Sequence, residues 1–336
     1  MGLGGHLIWS GVLENLYEED GCPPIVCKKP SLTDLLKGFK WDRNFSFEDD
    51  QIFKFNDRIA FTKSMPKTEL SKFVDRLFLS MVGFFPLRNV YENFILNLSR
   101  RHFLKHGERL VHLDLLCYSY AKKQTKKKMI WKSGGHAAQV IGFDFGLSIT
   151  SPNCYMRFSQ NEILWLEKFL ISSAIEKKFI IIEPGTNTDW FGELRAWPNH
   201  KWVQLVGDIK KQFSDLQVIQ IGLKETHLLP GVFDLREKIS FREACLLLSQ
   251  SALFIGTEGG LMHAAKATNT KALILWGGVT LPAFAGYPQS QHVICNYVSC
   301  APCGNLGWCD NDNICMNSIE VSKVFEHVKS LLRENK

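Results

Sequence analysis

The residues best suited to chemistry lie between Leu253 and Ala265, where an apolar run meets two adjacent glycines. Residues 252–255 are typical of a buried strand and residues 261–267 of a helix start. A strand that turns through glycines into a helix leaves free backbone N–H groups at the positive end of the helix dipole, which favours an anion such as phosphate. Glu258 lies on the rim of that turn, where its carboxylate could accept hydrogen bonds from sugar hydroxyls. The alternative is a plain strand–turn–helix crossover with an accidental Gly-Gly pair.

A second group of chemically competent residues is a cysteine cluster near the C-terminus. Cys300, Cys303, Cys309 and Cys315 form the pattern C-x2-C-x5-C-x5-C, and four sulfurs at this spacing can wrap a tetrahedral iron or zinc ion. Four protein ligands leave no open position, so such an ion would brace the loop rather than catalyse. Four free thiols are the alternative.

Composition limits the kinds of partner. The chain has 336 residues, of which 45% are hydrophobic and 22% charged, so about two domains with sizeable cores are expected. Its net charge of +6 favours anionic partners such as nucleotides, phosphorylated glycans or an acidic membrane surface. No repeated basic–aromatic pattern is present, so we expect no nucleic acid partner. A lysine cluster at residues 122–128 is either a solvated loop or a contact with anionic lipid or a phosphorylated acceptor.

The location of the protein follows from its N-terminus and its apolar runs. No secretory signal is present, and the longest apolar run, residues 77–87, is too short to span a bilayer. We therefore expect a cytoplasmic protein, in which thiols stay reduced and clustered cysteines favour a metal over disulfides.

The elements that must position the glycine turn are clearest in the second half of the chain. Short apolar strands alternate there with amphipathic helices, which predicts a doubly wound parallel sheet. Ligands bind at the carboxyl ends of such strands, so the loops after them should form one crevice. Those loops contain Thr186, Thr188, Glu225, residues 258–261 and Gly277-Gly278. Hydroxyls, glycines and carboxylates brought together in this way fit a nucleotide. Trp276, Phe284 and Tyr287 are candidates to stack on a base or sugar, with core packing favoured for Trp276.

The first half opens unusually. Residues 2–5 are expected to form a glycine turn, and residues 6–16 a helix, but no strand comes before them. This raises the question of whether the native N-terminus begins upstream of Met1. We divide the chain into an N-terminal domain, residues 1–150, and a C-terminal domain, residues 151–336.

Several motifs of the second half occur together in one known family. They are an acidic residue–x–Gly–x–x–His–x–Ala sequence after a strand (Glu258, Gly260, His263, Ala265), Pro184-Gly185, Arg195 two residues before Trp197-Pro198, Gly222 with Glu225, and Cys300-Ala301-Pro302-Cys303. Taken jointly, residues 178–320 resemble glycosyltransferase family 9, the bacterial heptosyltransferase group.

The resemblance implies a GT-B type α/β fold with two Rossmann-like doubly wound domains facing a central cleft. The C-terminal domain would hold a nucleotide-diphosphate sugar, most favourably ADP-heptose, and the N-terminal domain the acceptor. Catalysis in the family is metal-independent and inverts the anomeric centre. The implied donor-binding set is Thr186, Thr188, Glu225, Glu258, Gly259, Gly260, Leu261, Met262 and His263. Arg195 replaces the usual Lys and would stabilise the leaving diphosphate, while Glu258 replaces the usual Asp, which leaves the sugar in doubt.

His6 takes the position of the family's candidate general base, an Asp. A histidine of ordinary pKa, about 6.5, is a competent base at neutral pH. The alternative is a helix N-terminal histidine with no chemical role.

Three functions follow from this resemblance. The leading one transfers heptose to a hydroxyl of lipopolysaccharide or another surface glycan. The second is a protein O-heptosyltransferase that acts on autotransporter adhesins, and the third is a nucleotide-sugar-binding protein without catalysis. The acceptor is therefore a glycolipid or a protein. Peripheral contact with the inner membrane and oligomer formation are left open.

Overall fold

The computed structural model describes residues 3–27, 41–42, 51–62, 97–98, 100–101, 104, 107–113, 135–176, 178–185, 192–304 and 308–333. The strands are β1 (Ile25–Cys27), β2 (Trp41–Asp42), β3 (Ala60–Thr62), β4 (Leu110–His112), β5 (Phe179–Glu183), β6 (Gln217–Gln220), β7 (Phe233–Asp234), β8 (Phe254–Thr257), β9 (Ala272–Trp276) and β10 (His292–Cys295). The helices are α1 (Leu3–Asp20), α2 (Ala137–Phe143), α3 (Gln160–Ser172), α4 (Gly192–Arg195), α5 (Asn199–Gln212), α6 (Phe241–Gln250), α7 (Gly260–Ala267), α8 (Pro282–Ala285), α9 (Ile314–Asn317) and α10 (Val321–Arg333).

The strands form two sheets. The first, from the N-terminal half, has the order β2-β3-β1-β4, with β1 parallel to β3 and β4 and with β2 antiparallel to β3. The second has the order β10-β9-β8-β5-β6-β7 and all its pairs are parallel. These sheets and their helices confirm the predicted α/β class.

Strand order reverses at β5. The chain builds β6 and β7 on one side of β5 and then β8, β9 and β10 on the other. A ligand crevice in a parallel sheet opens at such a reversal, outside the carboxyl ends of the strands. The end of β5 and the end of β8 therefore frame the expected site, and β8 leads directly into the glycine turn.

Both faces of β5 are covered, as its continuous apolar sequence predicts. Ile181 belongs to a core shared with α1, α6 and α7, whereas Ile180 and Ile182 belong to a core shared with α5 and α10. The period of two along the strand thus assigns successive side chains to opposite layers.

Helix α1 corrects the expectation for the chain opening. The structure places Leu3, Gly4 and Gly5 inside the helix, so the predicted glycine turn at residues 2–5 is wrong over its described part, and His6 lies within α1 instead of starting it. The helix is largely buried and packs against α2 and α7. Close packing explains why glycine occurs at position 4 of this helix, where its intrinsic propensity is poor, because a Cβ on Gly4 would lie 2.7 Å from Cδ2 of His263.

No helix among the described residues is both long and apolar enough to cross a membrane.

Candidate functional site

The glycine turn has the predicted geometry. Strand β8 ends at Thr257, Gly259 is the N-cap residue, and α7 begins at Gly260. No side chain caps this helix and its first turn carries no acidic residue. Gly259 and Gly260 are half-buried, whereas the next residues of α7, Leu261 and Met262, are buried. Because no side chain caps α7, the backbone N–H groups at its start suit an anion.

The first turn of α1 lies against the same turn. A Cβ atom placed on Gly260 would lie 3.8 Å from the backbone N of Gly4 and 3.9 Å from the Cβ of Leu3. Helix α1 also has no acidic residue in its first turn. Two helix N-termini therefore meet at one place, and their dipoles together favour a negatively charged group between them.

A buried ion pair flanks the turn. Arg195, the last residue of α4, places Nη2 3.3 Å from Oε1 of Glu258. The hydroxyl of Thr280 donates to the other carboxylate oxygen of Glu258 at 3.2 Å. Burial raises the pKa of Glu258, while Arg195 and Thr280 act in the opposite direction. Glu258 is therefore buried beneath the rim rather than exposed on it, which corrects the expected position.

The structure brings together two site residues that lie 63 positions apart in the sequence, Arg195 and Glu258. Sequence reasoning missed Thr280, because a lone threonine after β9 belongs to no motif. Its position in the loop that follows a strand of the same sheet was the available signal.

The loops after β5 and β6 also meet. A Cβ on Gly185 would approach Cγ2 of Thr226 to 2.4 Å, so only glycine allows these loops to pack this closely. Gly222 has a φ of +121°, a conformation that side chains rarely adopt. Glu225, on the same loop, is exposed at the crevice edge. Thr186 and Thr188, the predicted diphosphate ligands, lie outside the described residues.

His263 is held below the turn. Its ring is buried, and its Nδ1 lies 2.8 Å from the hydroxyl of Tyr287, which also lies 2.7 Å from Sγ of Cys154. Burial lowers the pKa of His263 to about 3, with smaller effects of His136 and Arg195. A neutral imidazole in this position fixes the helix start and does not add positive charge to the site.

The aromatic candidates turn out to be core residues. Trp276, Phe284 and Tyr287 are all buried, as expected for Trp276 alone. Tyr287 uses its hydroxyl within the protein, so the expectation that it stacks on a ligand has no support in this geometry.

His6 lies in α1, two residues after Gly4, the glycine that packs against the turn at Gly260. It is half-buried, and its ring meets Phe53 edge to face at a centroid distance of 5.9 Å. The side chain is thus close in sequence to the two-helix junction, on the N-terminal side of the crevice.

The four clustered cysteines line one small cavity of about 40 Å³, together with Gly278, Trp308 and neighbouring loop residues. Burial raises the pKa of Cys315, and Cys309 and Cys303 raise it further. Among the described residues, however, no three His, Cys, Asp or Glu side chains are grouped closely enough to hold a metal ion.

A mixed sheet from the N-terminal half and an all-parallel sheet from the C-terminal half, each with its helices, define an α/β protein of the GT-B type. The family model for glycosyltransferase family 9 (heptosyltransferase) matches residues 96–307, and the chain belongs to this family.

Solved structures are similar at low identity. A family 9 glycosyltransferase from Veillonella parvula DSM 2008 is 14% identical with a TM-score of 0.63, over 99% of this chain and 95% of that one. The ADP-heptose lipopolysaccharide heptosyltransferase II of E. coli is 18% identical, with a TM-score of 0.46 over 60% and 63% of the two chains. The iron-containing dodecameric glycosyltransferase TibC from enterotoxigenic E. coli H10407 is 18% identical, with a TM-score of 0.48 over 60% and 54% of the two chains. A comparison with curated proteins gave no match.

Proposed function

We propose that this glycosyltransferase transfers heptose from ADP-heptose, with inversion, to a hydroxyl group of lipopolysaccharide or another surface glycan. The observation that carries the proposal is the uncapped N-terminus of α7, which lies against the first described turn of α1 and beside the Arg195–Glu258 ion pair. Such a site suits the two phosphates of a nucleotide sugar. The C-terminal domain, residues 151–336, would hold the donor, and the N-terminal domain, residues 1–150, the acceptor.

The reaction uses groups on both sides of the crevice. The acceptor oxygen attacks the anomeric carbon as the bond to the diphosphate oxygen breaks, and His6 takes the acceptor's proton. Arg195 and the N–H groups of Gly260, Leu261 and Met262 stabilise the charge that develops on the leaving diphosphate. Arg195 can bind phosphate oxygens with two parallel hydrogen bonds. Glu258, buried beneath the turn, holds Arg195 in place, and Glu225 holds the ribose.

Donor binding tests the site. We expect Glu258→Ala and Arg195→Ala to weaken binding of ADP-heptose in titration calorimetry by about tenfold to a hundredfold, since each removes a hydrogen bond involving a charged group. Glu326→Ala, which removes an exposed carboxylate on α10, is the matched control and should bind as wild type does. Unchanged affinity in both site variants would refute this site.

Chemistry is tested separately at His6. Loss of a general base costs about a hundredfold to ten-thousandfold in kcat, so His6→Ala should lose turnover while it still binds ADP. Full turnover in this variant would remove His6 from the mechanism. A wild-type protein that binds ADP-heptose but neither hydrolyses nor transfers it would support the non-catalytic alternative. Transfer to an adhesin peptide and not to a deacylated lipid core would instead support the protein O-heptosyltransferase.

We also propose that Cys300, Cys303, Cys309 and Cys315 bind a structural iron or zinc ion. The four cysteines line one cavity but are not grouped closely enough to hold an ion as the structure stands, so binding would have to draw the sulfurs together. Four sulfurs are a suitable donor set for either metal, and the ion would brace the loop beside Gly278. Elemental analysis of anaerobically purified protein should find about one ion per chain. Cys309→Ser should lower that content, whereas Cys22→Ser, a change at a half-buried cysteine outside the cluster, should not. Protein that contains neither metal would contradict the proposal.

A further inference from the structure

Glu183 is a buried acid that no part of the mechanism above uses. It is the last residue of β5, and it pairs in register with Gly256 of β8. This is the point at which strand order reverses, so the residue lies at the base of the expected crevice.

One carboxyl oxygen of Glu183 lacks a partner. The residue is only 9% exposed, and its Oε2 atom is buried and makes no hydrogen bond within the described chain. Burial raises the pKa of this carboxyl to about 8. A buried polar atom without a partner costs free energy, commonly about 1–3 kcal/mol, and such atoms are rare unless they have a use.

The surroundings of Glu183 point toward the nucleoside end of a donor. A Cβ on Gly222 would lie 3.7 Å from Cγ of Glu183 and 3.9 Å from both the carbonyl oxygen of Gly185 and the hydroxyl of Thr226. Glu183 thus lies between β8, which leads to the phosphate-binding turn, and the loop after β6, which carries Glu225. A nucleotide with its phosphates at Gly260 and its ribose at Glu225 would pass over this position.

We infer that Glu183 is a ligand-recognition residue whose carboxyl group hydrogen-bonds the nucleoside half of the donor. This inference rests on the proposed function, since it takes the nucleotide to lie along the ends of β8, β5 and β6. A neutral carboxyl group can donate a proton to an acceptor on the ribose or base, and it does not repel the nearby diphosphate. The residue therefore contributes to selection of the nucleotide rather than to the chemical step.

Two substitutions separate recognition from a structural role. Glu183→Gln keeps a hydrogen-bond donor of the same size, whereas Glu183→Met keeps the volume and removes both oxygens. We expect Met to raise the melting temperature of the ligand-free protein, because an unsatisfied buried group is removed, and to weaken ADP binding about tenfold in titration calorimetry. Gln should bind ADP within about threefold of wild type.

A matched control is Glu14→Met. Glu14 is also a buried glutamate whose Oε2 atom has no hydrogen-bond partner in the described chain. Unlike Glu183, it forms ion pairs through its Oε1 atom, with Arg58 and Arg157. Because this variant breaks those ion pairs away from the crevice, it should melt at a lower temperature and bind ADP as wild type does.

Donor fragments identify the group that Glu183 contacts. If the ribose is recognised, 2′-deoxy-ADP should bind wild type more weakly than ADP and should bind Glu183→Met equally to ADP. If the base is recognised, wild type should bind UDP more weakly than ADP, and Glu183→Met should bind the two with equal affinity.

The outcomes distinguish the two proposals. Wild-type affinity for ADP combined with unchanged affinity in Glu183→Met would overturn this inference and leave the proposed function standing. Failure of wild type to bind ADP, UDP or ADP-heptose would overturn both.

Discussion

At the scale of single residues, a buried polar network joins the two halves of the chain. His136 caps α2 by accepting a hydrogen bond from the backbone N–H of Ala138 at 3.1 Å, and its ring lies 5.2 Å from that of Tyr287. Tyr287 in turn contacts Cys154 and His263. Burial lowers the pKa of His136 to about 4, an effect that the nearby backbone of Ala285 partly offsets. Both histidines are therefore neutral in the folded protein at neutral pH.

Because these histidines are neutral in the folded protein, the free energy of unfolding should decrease as the pH is lowered. The unfolded chain takes up protons below the ordinary histidine pKa of about 6.5, while the folded protein takes them up at His136 only near pH 4. The unfolded state therefore binds more protons between these values, and the free energy of unfolding should decrease as pH falls from about 6.5 to about 4.

His136→Asn tests this at one residue, because Asn is a good helix N-cap but does not titrate. We expect the variant to lose roughly 3 kcal/mol less than wild type between pH 6.5 and 4 in urea unfolding, from a shift of about 2.5 pH units. His200→Asn, a change at an exposed histidine, is the control and should follow wild type. A slope in His136→Asn equal to that of wild type would show that His136 does not carry the effect.

At the scale of elements, two helical glycines look alike in sequence and differ in packing. A Cβ on Gly11 of α1 would lie 2.0 Å from the backbone carbonyl oxygen of Asn153, whereas a Cβ on Gly207 of α5 would meet nothing within 4 Å. Gly11 therefore lets α1 approach the segment between α2 and α3, and Gly207 has no such role.

Alanine at these glycines should act in opposite directions. Gly11→Ala forces backbone apart, so we expect it to lower the free energy of unfolding by more than about 2 kcal/mol. Gly207→Ala should raise it by about 0.5–1 kcal/mol, since alanine is the better helix former and has room. Chemical denaturation with matched m-values measures both changes. A neutral or stabilising Gly11→Ala would contradict the close packing of α1.

Elements of the second half were predictable because their signals are local. The apolar runs at 179–182, 218–221, 253–255 and 272–275 all correspond to strands of the parallel sheet, within one or two residues. The start of α1 was missed because Gly4 and Gly5 indicate a turn from local propensity alone. Their place in a helix is decided by contact with α7, which lies more than 250 residues away.

Individual residues of the candidate site could be predicted from the sequence, but the contacts between them could not. Motifs located the turn at Gly260 and singled out Arg195 and Glu258, but not the ion pair between them. Glu183 and Thr280 had no signal beyond their position after strands, because burial and missing partners are properties of the folded chain.

At the scale of the whole molecule, Arg242 connects the two sheets. From α6 it donates to the carboxylate of Glu162 at 2.6 Å, to the carbonyl oxygen of Gln51 at 2.9 Å and to that of Arg157 at 2.6 Å. Its guanidinium group also lies over the ring of Phe55 at 5.5 Å. One largely buried side chain thus ties together the segment before β3, the chain leading into α3 and helix α6.

Loss of this connection should be costly. Arg242→Met leaves the Glu162 carboxylate and two carbonyl oxygens without their donor, and breaking a buried ion pair in this way costs about 3 kcal/mol or more. Lys329→Met on α10 breaks a pair with Glu326, which is 70% exposed, and should cost less than about 1 kcal/mol. Urea unfolding compares the two variants directly.

Hydrogen exchange of residues 51–62 should also rise in Arg242→Met and not in Lys329→Met, because Arg242 holds the backbone at Gln51. Equal stability losses in the two variants, with exchange unchanged at residues 51–62, would mean that the two sheets are joined by other contacts.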